Sequence, residues 1–264
     1  EAGALEFDLT PVDLETLTRS VAELLSPRAH DRGLEIAWSV AADVPFVMAD
    51  EGRLRQILFN LAGNAVKFTD EGGVHIQVVR VGGSDEKPKL DFIVDDSGPG
   101  VPKEARQRIF DEFGHADYSD AVRHDGAGLG LAVVRRLAVA MGGKVCVEDR
   151  PKAQGARFRF TASFTRAQTP ERLRTLNAQP VNVLTPCRFT EAAVRAQLEA
   201  SGGALSPDAK VTLIDHALAD EGQRVMRPQE GQSIILLRPS ERDLISAYKR
   251  DGFHGYLIKP LRRE

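Results

Sequence analysis

The stretch Asn60-Leu61-Ala62-Gly63-Asn64-Ala65-Val66-Lys67 (NLAGNAVK, residues 60–67) decides the reading of this chain. Asn60, Asn64 and Lys67 fall at i, i+4 and i+7, a spacing that stacks all three on one face of a helix. Leu54, Ile57, Leu58, Leu61, Ala62 and Ala65 form the stripe through which that helix buries itself. Amides are poor helix formers because their side chains compete for backbone hydrogen bonds. Two amides and an ammonium on one exposed face therefore suit a ligand that needs carbonyl oxygens and a positive charge. A merely solvated polar face is the plainer alternative.

Two glycine-rich loops downstream bear on that choice. Asp96-Ser97-Gly98-Pro99-Gly100 follows the strand Phe92-Ile93-Val94. A carboxylate fixed at the end of a buried strand accepts strongly from an amine, and the exocyclic amine of adenine is such a donor. Gly98 and Gly100 let the backbone approach a flat ligand, although the same residues also make a simple Asp-Ser-Gly turn. Gly126-Ala127-Gly128-Leu129-Gly130-Leu131 opens a helix, where free N–H groups form an anion site suited to phosphates. A flexible helix start packed on a sheet uses the same residues. The Walker A spacing is absent, and the order of elements does not fit a dinucleotide-binding βαβ unit.

The chain has 264 residues, 42% hydrophobic, with a formal net charge of -3, enough for two separate cores. It carries no basic stripe for nucleic acid and no polybasic patch for a membrane surface. Cys146 and Cys187 belong to no ligand-spaced group and read as thiols of a reducing, cytoplasmic compartment. No apolar run approaches the roughly 18 residues that cross a bilayer. The chain starts at Glu1 rather than Met and is expected to be a piece of a longer protein, whose other parts can include a membrane anchor.

Taken in order, Pro11 is expected to open an amphipathic helix over 12–32, with Leu14, Leu17, Val21, Leu24 and Leu25 on its apolar side, interrupted or restarted by a second turn at Pro27 and ended by Gly33. Residues 34–40 alternate as a half-buried strand. Asp50 caps the helix 51–68. Strands are expected at 74–81 and 90–94, a short helix at 103–113, a helix at 128–141 and a closing hairpin from 144–149 and 157–164. That order describes a two-layer α/β sandwich, a mixed sheet with helices on one face.

In register along the chain, N-x-x-x-N-x-x-K-F, D-x-G-x-G, I-F-x-x-F and G-x-G-L-G-L resemble the N, G1, F and G2 boxes of the histidine-kinase catalytic domain. That domain belongs to the ATPase superfamily shared with type II topoisomerases and a heat-shock chaperone. The resemblance covers residues 7–165, and Arg53-Leu54-Arg55-Gln56-Ile57-Leu58 is similar to the hybrid-kinase subgroup. It implies ATP and Mg²⁺ as cofactors, with Asn64 as the metal ligand. Asn60 stands where ATPase relatives carry a general-base glutamate; an amide takes no proton from water, which favours transfer over hydrolysis. The resemblance further implies that Lys67 meets phosphate, Phe68 borders the base, and Asp96 reads adenine beside Gly98 and Gly100. Gly126, Gly128 and Gly130, with Leu129 and Leu131, are the implied phosphate loop, although Ala127 replaces a common threonine. Phe110 and Phe113 are the implied anchors of a lid over 114–125 that carries Arg123 and His124. The implied partner is a histidine-bearing dimerisation hairpin, since none of the six histidines here sits in the acceptor pattern. A downstream receiver or phosphotransfer protein follows from the same logic. A nucleotide-gated interaction module without phosphotransfer is the alternative, and a true ATPase is disfavoured by Asn60.

The catalytic unit is placed at 1–166, a linker at 167–180 and a second unit at 181–264. Strands at 181–184, 211–214, 233–237 and 255–258 alternate with helices at 190–200 and 241–250, the pattern of a small doubly wound parallel sheet. Its Tyr256-Leu257-Ile258-Lys259-Pro260 ending resembles that of a response-regulator receiver. Asp215 is aligned with the phosphoacceptor and Lys259 with its partner, but Thr185-Pro186 replaces the metal-binding acids and Arg238 the hydroxyl residue. The segment 203–210 is too short for both a second strand and a helix. These departures describe a degenerate receiver that docks or regulates.

Overall fold

In the computed structural model, which describes residues 6–112, 129–150, 153–168 and 175–262, the chain opens on a short strand. Thr10–Val12 (β1) holds Pro11 on the edge of a small sheet, where a missing N–H costs no ladder bond. Helix α1 (Leu14–Asp31) therefore starts later than expected, capped by Asp13, which accepts from Glu15 N–H at 2.9 Å. It runs through Pro27 without ending and stops at Gly33, whose φ of 74° suits glycine. Leu24 is not on the buried stripe: it is 62% exposed.

The chain continues through β2 (Glu35–Val40), β3 (Val47–Ala49) and α2 (Glu51–Phe68). Helix α2 is capped by Asp50 and buries Leu54, Ile57, Leu58, Leu61, Ala62, Ala65 and Val66. β4 (Gly73–Gly83) and β5 (Pro88–Asp96) form a hairpin. Over 103–112, the described part of the helix expected at 103–113, the chain instead makes a series of turns with a single 3-10 turn, Arg108–Phe110. Only Ile109 and Phe110 are buried there, too narrow a stripe to hold a full helix. Then come α3 (Gly130–Ala140), β6 (Lys144–Asp149), β7 (Ala156–Ser163) and β8 (Thr165–Arg166).

The main sheet has the order β2-β4-β5-β7-β6, with β2 and β4 parallel and the other pairs antiparallel. Ile36, Trp38, Val74, Ile76, Val78, Phe92, Val94, Phe158 and Phe160 join the apolar faces of α1, α2 and α3 in one core. Strand alternation sends Glu35, Ala37, Ser39, His75, Asp91, Asp95, Arg157 and Arg159 to the other side.

A second sheet follows. β9 (Pro180–Leu184), α4 (Arg188–Ala200), β10 (Ala204–Leu205), β11 (Val211–Asp215), β12 (Gln232–Leu237), α5 (Ile245–Arg250) and β13 (Gly255–Ile258) give the all-parallel order β10-β9-β11-β12-β13. That is the flavodoxin-like winding. The short segment after α4 does supply a second strand, two residues long, and the chain passes from it to β11 without a helix. The helix expected over 241–250 is divided, with a 3-10 stretch Pro239–Leu244 leading into α5.

The two sheets meet at β2, which is buried on both faces rather than on one. Phe189 and Ala193 of α4 pack on Ala37. Gln197 Nε2 donates to the Trp38 carbonyl at 2.8 Å, and Trp38 Nε1 donates to the Leu261 carbonyl at 2.8 Å. Ala37 and Ser39 are the small side chains that let a helix come this close.

Candidate functional site

Asn60, Asn64 and Lys67 share the half-buried face of α2. Neither asparagine side chain makes a hydrogen bond among the described residues. Lys67 Nζ lies 4.9 Å from the centre of the Phe68 ring, which is 51% exposed. Gly130 begins α3 beside this face: a Cβ on it would stand 3.6 Å from Asn60 Oδ1. Leu129 precedes it without a capping side chain, and Leu131 packs on the core. One end of the α2 face thus meets the free N–H groups at the start of α3. Gly126, Ala127 and Gly128 lie outside the described residues, as do Phe113 and the expected lid with Arg123 and His124. Phe110, the other expected anchor, is buried edge-on to Phe158, with centroids 6.4 Å apart.

The other end of α2 meets Asp96. This residue is 6% exposed, and its Oδ1 accepts from Gly98 N–H at 2.9 Å and Ala156 N–H at 3.1 Å. Oδ2 has no partner among the described residues. Burial pushes the Asp96 carboxyl above the usual aspartate range, opposed by those two N–H groups and by the nearby Arg150 charge. Gly98 sits in tight space: a Cβ there would stand 3.0 Å from the Phe68 carbonyl oxygen. Gly100 turns with φ of 81°. Asn60 and Phe68 are eight residues apart, so the two ends are separated by roughly 12 Å along the helix. An extended nucleoside triphosphate has a length of that order.

Sequence reasoning missed three contributors. Thr69 is fully buried, its Oγ1 has no partner among the described residues, and it would stand 3.2 Å from a Cβ on Gly98. Gly155 presses on the Asp96 main chain: with φ of 122°, a Cβ there would sit 1.8 Å from the Asp96 carbonyl oxygen. Arg150 Nη1 donates to that same carbonyl at 3.1 Å. Arg150 and Gly155 therefore hold the Asp96 main chain from behind, and the sequence signal for it was the glycine ahead of β7.

The implied metal fits this donor set. No cluster of three or more His, Cys, Asp or Glu side chains among the described residues could hold a metal ion by itself. A single amide oxygen at Asn64 suits a hard cation that keeps its waters and is otherwise held by phosphate oxygens.

The second unit also gathers its aligned residues. Asp215 is fully buried; its Oδ1 accepts from Lys259 Nζ at 2.9 Å and its Oδ2 from Thr185 Oγ1 at 2.8 Å. Glu35, from β2 of the first sheet, enters this cluster. Its Oε1 lies 2.9 Å from Lys259 Nζ and 2.7 Å from Arg238 Nη2. A cavity of about 370 Å³ opens nearby between His216, Arg224, Arg238 and Glu241, away from the α2 face.

Residues 49–166 match the family model described as histidine kinase-, DNA gyrase B-, and HSP90-like ATPase. Over 162 residues the chain is 44% identical to the sensory/regulatory protein RpfC of Xanthomonas campestris pv. campestris, covering 61% of this chain and 22% of that protein. It is 38% identical over 161 residues to the signal transduction histidine-protein kinase BarA of Escherichia coli K12, covering 61% of this chain and 17% of BarA. The crystal structure of full-length ShkA in complex with AMPPNP superposes with a TM-score of 0.89 at 46% identity, covering 99% of this chain and 56% of that one. The chain thus spans about a fifth of the length of these curated relatives. Among the described residues no helix is long and apolar enough to cross a membrane.

Proposed function

We propose that this chain, whose residues 49–166 form a histidine kinase-, DNA gyrase B- and HSP90-like ATPase domain, is the Mg-ATP-binding catalytic portion of a two-component sensor kinase. The reading rests above all on the α2 face. It carries two amides unpaired among the described residues and a lysine, with an uncommitted carboxylate oxygen of the buried Asp96 at one end and a helix start at the other. The AMPPNP bound by ShkA, which matches nearly the whole chain, supports the same ligand class.

Asp96 Oδ2 accepts from the adenine amine, and Phe68 and Gly98 bound the base. Lys67 and the N–H groups at Gly130 meet the phosphates. Asn64 holds the Mg²⁺, which neutralises phosphate charge when bound. Asn60 occupies the position next to the terminal phosphate but accepts no proton from water. The γ-phosphoryl group is thereby kept from hydrolysis and is presented to a histidine on a dimerisation hairpin. The second unit is a degenerate receiver: Thr185 replaces a metal-binding acid, and the Lys259 ammonium is already shared between Asp215 and Glu35.

The test is transfer in trans. The chain is mixed with a histidine-bearing hairpin of a related kinase and γ-labelled ATP. Label on the hairpin histidine, with little free phosphate, is the expected result. Tight ATP binding with no transferred label would favour a nucleotide-gated module, and rapid phosphate release would favour an ATPase.

A further inference from the structure

Arg150 is a charged side chain only 9% exposed, in a loop that the amide face does not reach. Its Nη1 donates to the Asp96 main-chain carbonyl at 3.1 Å, the oxygen on which Gly155 also presses. Its guanidinium carbon lies 4.7 Å from the centre of the Phe189 ring. Phe189 belongs to the first turn of α4, in the second unit. It is fixed there by Ala37 and Ala193 and by the edge of His75, whose ring centroid is 6.4 Å away. A side chain of one unit thus stacks on the cation that holds the main chain of Asp96 in the other.

We infer that Arg150 is a positioning residue for adenine recognition, and that Phe189 makes the nucleotide affinity of the ATPase unit depend on the docked second unit. The inference rests on the reading of Asp96 as the adenine acceptor. Arg150 needs the ring because its surroundings are mixed. Asp95 and Asp96 attract it, but Asp95 is already held by both ends of the Arg157 guanidinium, and Arg188 repels it. A desolvated aromatic face supplies the attraction that fixes its plane. With that plane fixed, Arg150 and Gly155 set where the Asp96 carbonyl lies, and therefore where the carboxylate points. Coupling of this kind is reciprocal, so an adenine nucleotide also tightens the contact between the units.

The test compares two non-hydrolysable triphosphates by calorimetry on the full 264-residue chain: the adenosine form and the inosine form, which lacks the exocyclic amine. Arg150→Ala and Phe189→Ala are expected to weaken the adenosine analogue by about threefold to tenfold while moving the inosine analogue less than about twofold. The adenosine-to-inosine ratio therefore shrinks. Phe189→Tyr, which keeps the ring, restores the unmodified ratio. Arg150→Lys, which keeps the charge without the planar stack, falls between. A merely structural loss lowers both affinities together and leaves the ratio unchanged. An unchanged ratio in both alanine variants, with Asp96→Ala abolishing it, would overturn the coupling alone. An Asp96→Ala chain that kept the ratio would overturn the adenine reading along with it.

Discussion

His75 is a neutral imidazole locked into a sheet face. It is 3% exposed, its Nε2 lies 3.0 Å from Ser39 Oγ, and burial lowers its pKa to about 4. The unfolded chain takes up this proton near pH 6.5, the folded chain only near pH 4. The folded state therefore binds fewer protons in that window, and stability falls as pH drops through it. The full effect is roughly 3 kcal/mol for one group. Replacing His75 with Asn should flatten the decline in melting temperature between pH 7 and pH 4.5 relative to the unmodified chain; equal slopes for the two would refute this role. His75 was legible only as a histidine in an alternating strand. Its burial depends on α4, more than a hundred residues away, and nothing local announces that. By contrast Asn60, Asn64 and Asp96 stand out as candidates in the sequence because each breaks the rule of its own element: amides on a helix, an acid ending a buried strand.

At the scale of elements, the glycines separate into those required by backbone alone and those required by space. Gly33 has φ of 74° with nothing within 4 Å of a Cβ, so Gly33→Ala should cost about 1 kcal/mol. Gly155 combines φ of 122° with a Cβ position 1.8 Å from the Asp96 carbonyl oxygen, and Gly155→Ala should cost roughly 3 kcal/mol or more. Denaturant titration of both variants checks the order, and a smaller loss at Gly155 would contradict the close wrap around Asp96. Helix α2 and its Asp50 cap could be read directly, since cap, apolar stripe and length all agree. Pro11 could not: its fixed φ serves an edge strand as well as a helix start, and only the partner strand β3 decides between them. Residues 103–112 misled for a related reason, because a mostly polar run with Ile109 and Phe110 as its only large apolar residues does not say how many turns it can hold.

For the whole molecule, the contact between the two sheets is built on a buried charge cluster. Burial disfavours the charge on Glu35, but Lys259 and Arg238 outweigh it and hold its pKa below the ordinary glutamate value. Burial likewise works against Lys259, and Glu35 and Asp215 together raise its pKa. Removing one partner of such a cluster costs about 3–5 kcal/mol because the others stay buried. Glu35→Gln should therefore loosen the junction. Trp38, the single tryptophan, reports it, since its indole N–H is bonded to the Leu261 carbonyl across that junction. A red-shifted emission and stronger acrylamide quenching are expected; unchanged quenching would show that the cluster does not hold the units together. Both architectures were legible from element order, but their junction was not. Glu35 and Arg238 are 203 positions apart, and each reads locally as an ordinary charged residue at the end of a strand.

The most direct test of the central claim is calorimetric titration of the full chain with a non-hydrolysable ATP analogue, with and without Mg²⁺, beside Asp96→Ala and Asn64→Ala. Binding strengthened by Mg²⁺, at least tenfold weaker in Asp96→Ala, and insensitive to Mg²⁺ in Asn64→Ala is the expected result. Binding of equal strength in all three chains would place the nucleotide elsewhere and contradict the account.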